Sequence, residues 1–205
     1  MLLPFGDFRP DISSFKSSTS QLIFNVAPRG DGYGPFQDLQ AFTHSLPAAC
    51  RGYFYARKSD GSIEVFAGTQ LRLYQLNKTD FTWTDVSKGA ADYPALSANA
   101  NWQFAQFGDF VFATHQNVVL QKFIMASSSA FADAPGSPPQ AAYIAVVGQF
   151  LVLSGLLSAQ YRIQWSGLSD TTNWTAGVNQ SDFQDFPDGG IVRGVAGGEF
   201  GTIFQ

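Results

Sequence analysis

Asp60-Gly61-Ser62-Ile63-Glu64-Val65-Phe66-Ala67-Gly68 decides how this chain is read, because a turn glycine runs straight into an apolar strand. The phrase returns as Phe107-Gly108-Asp109-Phe110-Val111-Phe112-Ala113-Thr114 and as Val147-Gly148-Gln149-Phe150-Leu151-Val152-Leu153-Ser154-Gly155. A fourth copy reads Gly197-Gly198-Glu199-Phe200-Gly201-Thr202-Ile203-Phe204. A second apolar run precedes each phrase, at 52–56, 102–107, 143–147 and 192–196. Two strand-like runs joined through glycine predict a hairpin, since glycine reaches positive φ with no Cβ to clash.

Gly61, Gly108, Gly148 and Gly198 recur at intervals of 47, 40 and 50 residues. A loose period of about 40–50 residues, with strands and no helical pattern, is what a propeller blade of about four strands requires. The fold class predicted is therefore all-β: an incomplete β-propeller of roughly four-stranded antiparallel blades with an extended N-terminal arm. An ordinary antiparallel sandwich, whose hairpins also recur, is the alternative.

The first unit holds four strand-like runs, at 52–56, 63–67, 71–76 and 81–86. Period-two alternation puts Leu71, Leu73 and Gln75 on one face and Arg72, Tyr74 and Leu76 on the other, as a sheet packed on both sides requires. The second unit offers 102–107, 110–114 and 118–125, then a loop through Pro139 that leaves its fourth strand weak or absent. In the third, 141–147, 150–153 and 161–166 are followed by a predicted strand at Trp174-Thr175, and Trp83 and Trp174 read as repeated structural residues. The fourth begins at Ile191 and stops at Gln205 within a strand. Unpaired strand backbone is costly, so the expectation is a truncated polypeptide with too few blades to close a ring alone.

Residues 1–48 read differently. Pro4, Pro10, Pro28, Pro35 and Pro47 punctuate an extended arm with one credible strand at 21–27, which ends where 28–35 dictates turns. The division predicted is an arm over 1–48 and blades over 49–205. Such an arm completes a sheet in its own domain or adds to a neighbour's edge. Its apolar residues Leu22, Phe24, Val26, Tyr33 and Phe36 are the candidate partner contacts. Arg29-Gly30-Asp31 spells an integrin-type tripeptide and is read as a turn.

At 205 residues and 45% hydrophobic, the chain is long enough for one core. Charged residues make up 14% and aromatics 15%, so Ser, Thr, Gln, Asn and Gly must build the surface. A net charge of −4 without a Lys/Arg cluster excludes a dedicated nucleic-acid binder. Cys50 is the sole cysteine, which excludes an intrachain disulfide or a cysteine-based zinc site, and burial at a strand start is expected for it. The N-terminus lacks the features of a signal peptide and no run approaches a membrane span, which predicts synthesis in a cytoplasm.

Reactive constellations are hard to find. His44 and His115 lie in no nucleophile-elbow or metal-ligand setting, and both read as polar strand-end residues. Gly189-Gly190 and Gly197-Gly198 read as turn glycines, not phosphate cradles. Asp182, Asp185 and Asp188 fall in one predicted loop, where paired carboxylates would serve a propeller glycosidase or hold Ca²⁺. Their spacing fits no EF-hand, and Asp188-Gly189-Gly190 is a turn signal. Ser169 to Thr175 resembles the Asp-box turn of sialidase-like propellers without its central glycine. The sequons at Asn77, Asn173 and Asn179 are expected to stay empty. No catalytic, metal or cofactor-binding residue is assigned, and no cofactor is expected.

Three stretches carry a resemblance. Asn25-Val26-Ala27-Pro28-Arg29-Gly30-Asp31-Gly32-Tyr33-Gly34-Pro35-Phe36 is the first, and the second is Asn101-Trp102-Gln103-Phe104-Ala105-Gln106-Phe107-Gly108. The third joins Phe183-Gln184-Asp185-Phe186-Pro187-Asp188-Gly189-Gly190 to Val195-Ala196-Gly197-Gly198-Glu199-Phe200-Gly201. Together they resemble virion proteins of short-tailed bacteriophages, nearest in role to the tail nozzle or tail tubular protein. The resemblance implies a non-enzymatic, propeller-bearing subunit in a homo-oligomeric ring, a hexamer, below the portal and adaptor. It implies other tail proteins, including fibres, as partners, and an axis through which DNA passes without specific binding. A virion location follows. The alternative is a carbohydrate-binding or carbohydrate-cleaving propeller of a tail spike, which a pocket rimmed by Asp182, Asp185 and Arg162 would favour.

Overall fold

The computed structural model describes residues 40–198 without a break, the segments 22–29, 32–36 and 201–204, and residues 9, 11, 13, 15 and 38. The chain divides into two compact units, Met1–Phe42 and Thr43–Gln205. In the first, β1 (Val26–Arg29) pairs antiparallel with β2 (Gly32–Pro35), in the register Val26 opposite Pro35 and Pro28 opposite Tyr33. The arm thus carries a hairpin in place of the single strand expected at 21–27, and residues 22–25 precede it outside any strand. In a two-stranded ribbon each strand has a free edge, so Pro28, which has no N–H, fits β1 without breaking a ladder.

The second unit starts earlier than the predicted boundary at 48. The His44 amide donates to the Phe81 carbonyl at 3.0 Å, and the Trp83 indole N–H donates to the His44 carbonyl at 3.0 Å, which ties 43–48 to the first sheet. That sheet is an antiparallel meander of β3 (Tyr53–Arg57), β4 (Ile63–Gly68), β5 (Leu73–Leu76) and β6 (Trp83–Asp85). A second meander follows, with β7 (Gln103–Phe107), β8 (Phe110–Thr114), β9 (Gln121–Ile124) and a two-residue β10 (Ala132–Asp133). The third is β11 (Ala141–Val147), β12 (Phe150–Leu156), β13 (Arg162–Trp165) and β14 (Asp182–Asp185). Last comes a pair, β15 (Val195–Gly197) with β16 (Thr202–Phe204).

Glycine makes the tight hairpins as expected. Gly61, Gly108 and Gly148 sit at φ 85°, 57° and 54°, where a Cβ would be strained. At Gly108-Asp109 and Gly148-Gln149 only two residues separate the paired strands.

Alternation along β8 shows how the sheets stack. Val111 and Ala113 join Phe66, Leu73 and Phe123 in one core between the first and second sheets. Phe112, between them in sequence, joins Leu120, Leu151 and Leu153 in a second core between the second and third sheets. One strand therefore feeds both cores, through residues 0% exposed on either face. Along the stack the first strands lie side by side, β3 next to β7, β7 next to β11 and β11 next to β15.

Two expectations are corrected in this unit. The fourth strand of the third sheet is β14, not Trp174-Thr175. Asp170 Oδ1 accepts from the Thr172 amide and hydroxyl, at 2.8 and 2.6 Å, and Asn173 Oδ1 accepts from the Thr175 amide at 3.1 Å. These side chains hold 170–175 in tight turns, and Trp174 buries its indole in the second core with its N–H on the Thr171 carbonyl. Cys50 is exposed, not buried: it precedes β3 in an irregular stretch outside both cores.

Candidate functional site

β14 takes the predicted acidic loop apart. Successive strand side chains point to opposite faces, so Asp182 and Asp185, three residues apart, leave the sheet on opposite sides. Asp185 faces Arg162 across the β13–β14 ladder, with Nε to Oδ1 at 2.6 Å and Nη2 to Oδ2 at 2.8 Å. The guanidinium lies 3.6 Å from the centre of the Phe183 ring. Hydrogen bonding to Arg162 holds the Asp185 carboxyl below its usual range. Asp182 lies opposite Trp165, and Asp188 stands exposed in the turn Pro187–Gly189. The rim of Asp182, Asp185 and Arg162 that a carbohydrate-cleaving site would need does not form, because the strand satisfies one pair and turns the third residue away. Among the described residues no three His, Cys, Asp or Glu side chains converge as a metal site would need.

A different concavity lies where the first strands begin. Its volume is about 360 Å³, and its lining comes from the segment 97–103 entering β7, from 115–117 leaving β8, from Ala142 and Tyr143 on β11, and from Arg193 ahead of β15. Three successive sheets therefore build one wall. Small-molecule sites commonly occupy roughly 300–1,000 Å³, so the size suits a ligand.

Arg51 organises that rim. Its guanidinium donates to the carbonyls of Ser97 and Ala98, at 3.0 and 2.7 Å, to that of Ala100, and to Asn101 Oδ1 at 3.3 Å. Three of the loop's carbonyls and one side-chain oxygen are thereby occupied. His115 is the fully buried member of the lining, 2% exposed, and its ring meets Trp102 edge to face at 4.6 Å. The Asn117 amide donates to His115 Nδ1 at 3.3 Å, which leaves the proton of the neutral ring on Nε2, where it has no hydrogen-bond acceptor. Burial pushes the pKa of His115 down to about 4, so the imidazole is neutral at pH 7. The side chains of Gln103, Gln116, Tyr143 and Arg193 have no hydrogen-bond or ion-pair partner among the described residues. No described carboxylate lines the pocket, in a chain whose net charge is −4.

His115, read from sequence as a polar strand-end residue, follows β8 as expected but is buried in this wall, while His44 is exposed on the strip before β3. Arg193, Tyr143, Gln103 and Gln116 carry no motif. The one sequence signal is position: Gln103, Gln116 and Arg193 stand at or just outside the end of a strand adjoining a glycine hairpin, and Tyr143 lies near the start of β11, away from its turn.

The candidate contact residues of the arm are gathered by its hairpin. Leu22 and Phe24 are each 74% exposed, Phe36 is 63% and Tyr33 is 44%, whereas Val26 is half-buried. Leu22, Phe24, Val26 and Tyr33 line a cleft of about 400 Å³ that also takes in Ile23 and Pro35, and Phe36 lies just outside it. The Phe36 amide closes the hairpin on the Asn25 carbonyl at 2.9 Å. No described helix is long and apolar enough to cross a membrane.

No family model matches the chain, and no curated protein matches it.

Proposed function

We propose that this chain is a structural, propeller-bearing component of a short-tailed bacteriophage tail, a subunit of the ring below the portal and adaptor that lines the path of the ejected genome. The observation that carries the reading is the stack itself: consecutive four-stranded meanders, packed face to face, with their first strands side by side. Propeller blades pack in this way, as repeated four-stranded sheets with adjoining first strands. The tail role rests on the phrases quoted from the sequence.

Assembly is supported by exposed apolar surface. Leu22, Phe24 and Phe36 stand on the arm, and Tyr53 and Tyr55 on the first sheet are 75% and 67% exposed. Exposed large apolar side chains grouped in this way on each unit are what contacts with other chains bury. In this reading the arm hairpin docks on a neighbouring subunit or on the adaptor. The acidic balance keeps DNA from adhering to the wall of the conduit.

Electron microscopy of the particle that contains this chain, with the chain labelled, tests the proposal. Label on the portal axis in a ring of about six copies is the expected result. Label on peripheral fibres, or tight and steeply salt-dependent DNA binding in a gel shift, overturns it.

A further inference from the structure

The pocket at the head of β7, β11 and β15 presents polar side chains that are unpaired among the described residues. Arg193 presents a free guanidinium, Tyr143 a free hydroxyl, and Gln103 and Gln116 free amides. Arg51 has taken up three carbonyls of the 97–101 loop, those of Ser97, Ala98 and Ala100. Beneath, the Nε2 hydrogen of His115 has no acceptor among the described residues. A wall with one cation, no described carboxylate, and amides and a hydroxyl that both donate and accept is complementary to an anion that also carries hydroxyl groups.

We propose that this pocket binds a carboxylate-bearing sugar, a hexuronate unit of an acidic polysaccharide. The planar fork of Arg193 matches a carboxylate through two parallel hydrogen bonds. The amides of Gln103 and Gln116 and the hydroxyl of Tyr143 both donate and accept, as sugar hydroxyls require, and the tyrosine ring offers an apolar face to the C–H side of a pyranose. A phosphodiester strand fits less well. Nucleic-acid grooves neutralise successive phosphates with rows of Lys and Arg, and this pocket holds a single arginine. We read the site as one of binding, since no described lining residue is a carboxylate able to protonate or attack a glycosidic bond. The inference stands on the pocket alone and does not depend on the tail reading.

Isothermal titration of the full chain with trigalacturonate is the test, with maltotriose and inorganic phosphate as controls. Saturable binding of trigalacturonate is expected, about tenfold or more tighter than maltotriose, as for one charge-assisted contact. Arg193→Ala should weaken it by a similar factor, and Arg193→Lys by less. Because the Arg193 side chain has no partner among the described residues, both variants should melt with the parent protein. Gln103→Ala combined with Gln116→Ala should weaken trigalacturonate and maltotriose alike. Absence of trigalacturonate binding, equal affinity for maltotriose, tighter binding of phosphate, or an unchanged affinity in Arg193→Ala each overturns the proposal.

Discussion

Trp102 and His115 meet edge to face, with ring centres 4.6 Å apart and planes at 85°, where the approach to β7 passes the exit of β8. The indole N–H of Trp102 donates to the Thr69 carbonyl at 2.8 Å, and a Cβ at Gly68 would strike the indole ring. Trp102 thus joins the first sheet to the second, and His115 is sealed behind it as a neutral base.

That seal predicts acid sensitivity. The unfolded imidazole titrates near 6.5, whereas burial holds the folded one at about 4. Between these values the unfolded chain takes up a proton that the folded chain refuses. The His115 contribution is therefore complete above about pH 6.5 and is lost progressively as pH falls toward 4, by about 3 kcal/mol in all. Urea midpoints followed from pH 7.5 to 4 should fall further for the parent than for His115→Phe. Parallel curves would refute this.

Arg162 and Asp185 give a second pH dependence, at lower pH. The carboxyl is held below its usual range, so the pair's contribution is present above the unfolded carboxylate pKa of roughly 4 and disappears as pH falls through the depressed folded value. Asp185→Asn should lower the urea midpoint at pH 7, and its deficit should narrow toward pH 3. A deficit independent of pH would mean that the ion pair contributes nothing beyond packing.

In the first core, Phe66 is 0% exposed and meets Phe123 and Phe131 edge to face, with ring centres 5.1 and 5.7 Å away. Phe66→Ala should cost about 3–5 kcal/mol by chemical denaturation, and Phe66→Leu much less, because the smaller change leaves a smaller cavity. A loss below ~1 kcal/mol for the alanine variant would show that the two sheets do not pack as described.

Two glycines separate backbone strain from collision. Gly108 and Gly136 both have positive φ, 57° and 85°, and alanine pays roughly 1–2 kcal/mol in such a conformation. Around Gly108 a Cβ meets nothing, whereas at Gly136 it would overlap the Thr172 carbonyl oxygen. Gly136→Ala should therefore lower the melting temperature by clearly more than Gly108→Ala. Equal losses would remove the close approach of the 136 and 172 loops.

Local patterns are where sequence reading succeeded. Glycine followed by an apolar run announced the β3–β4, β7–β8 and β11–β12 hairpins, since the turn conformation is a property of the glycine and its neighbours. Alternation along 71–76 announced a sheet buried on both faces, and Leu73, Tyr74 and Leu76 are all buried. Where a choice depended on competing partners, the reading failed. Trp174-Thr175 has the composition of a strand, yet the indole has more to gain in the second core, and the ladder position beside β13 goes to Asp182–Asp185.

What the amino-acid order determined by itself is the antiparallel β character, the glycine hairpins and the spacing of the sheets, all set by steric limits that act within a few residues. Only the tertiary structure decided which charges meet and which stay free. It paired Arg162 with Asp185, parted Asp182 from Asp185, and gathered Gln103, His115, Tyr143 and Arg193 from three sheets into one pocket. The physical reason is that side-chain electrostatics act over a few ångströms in space, and neighbours at that distance are chosen by packing between sheets that lie some forty residues apart in the chain.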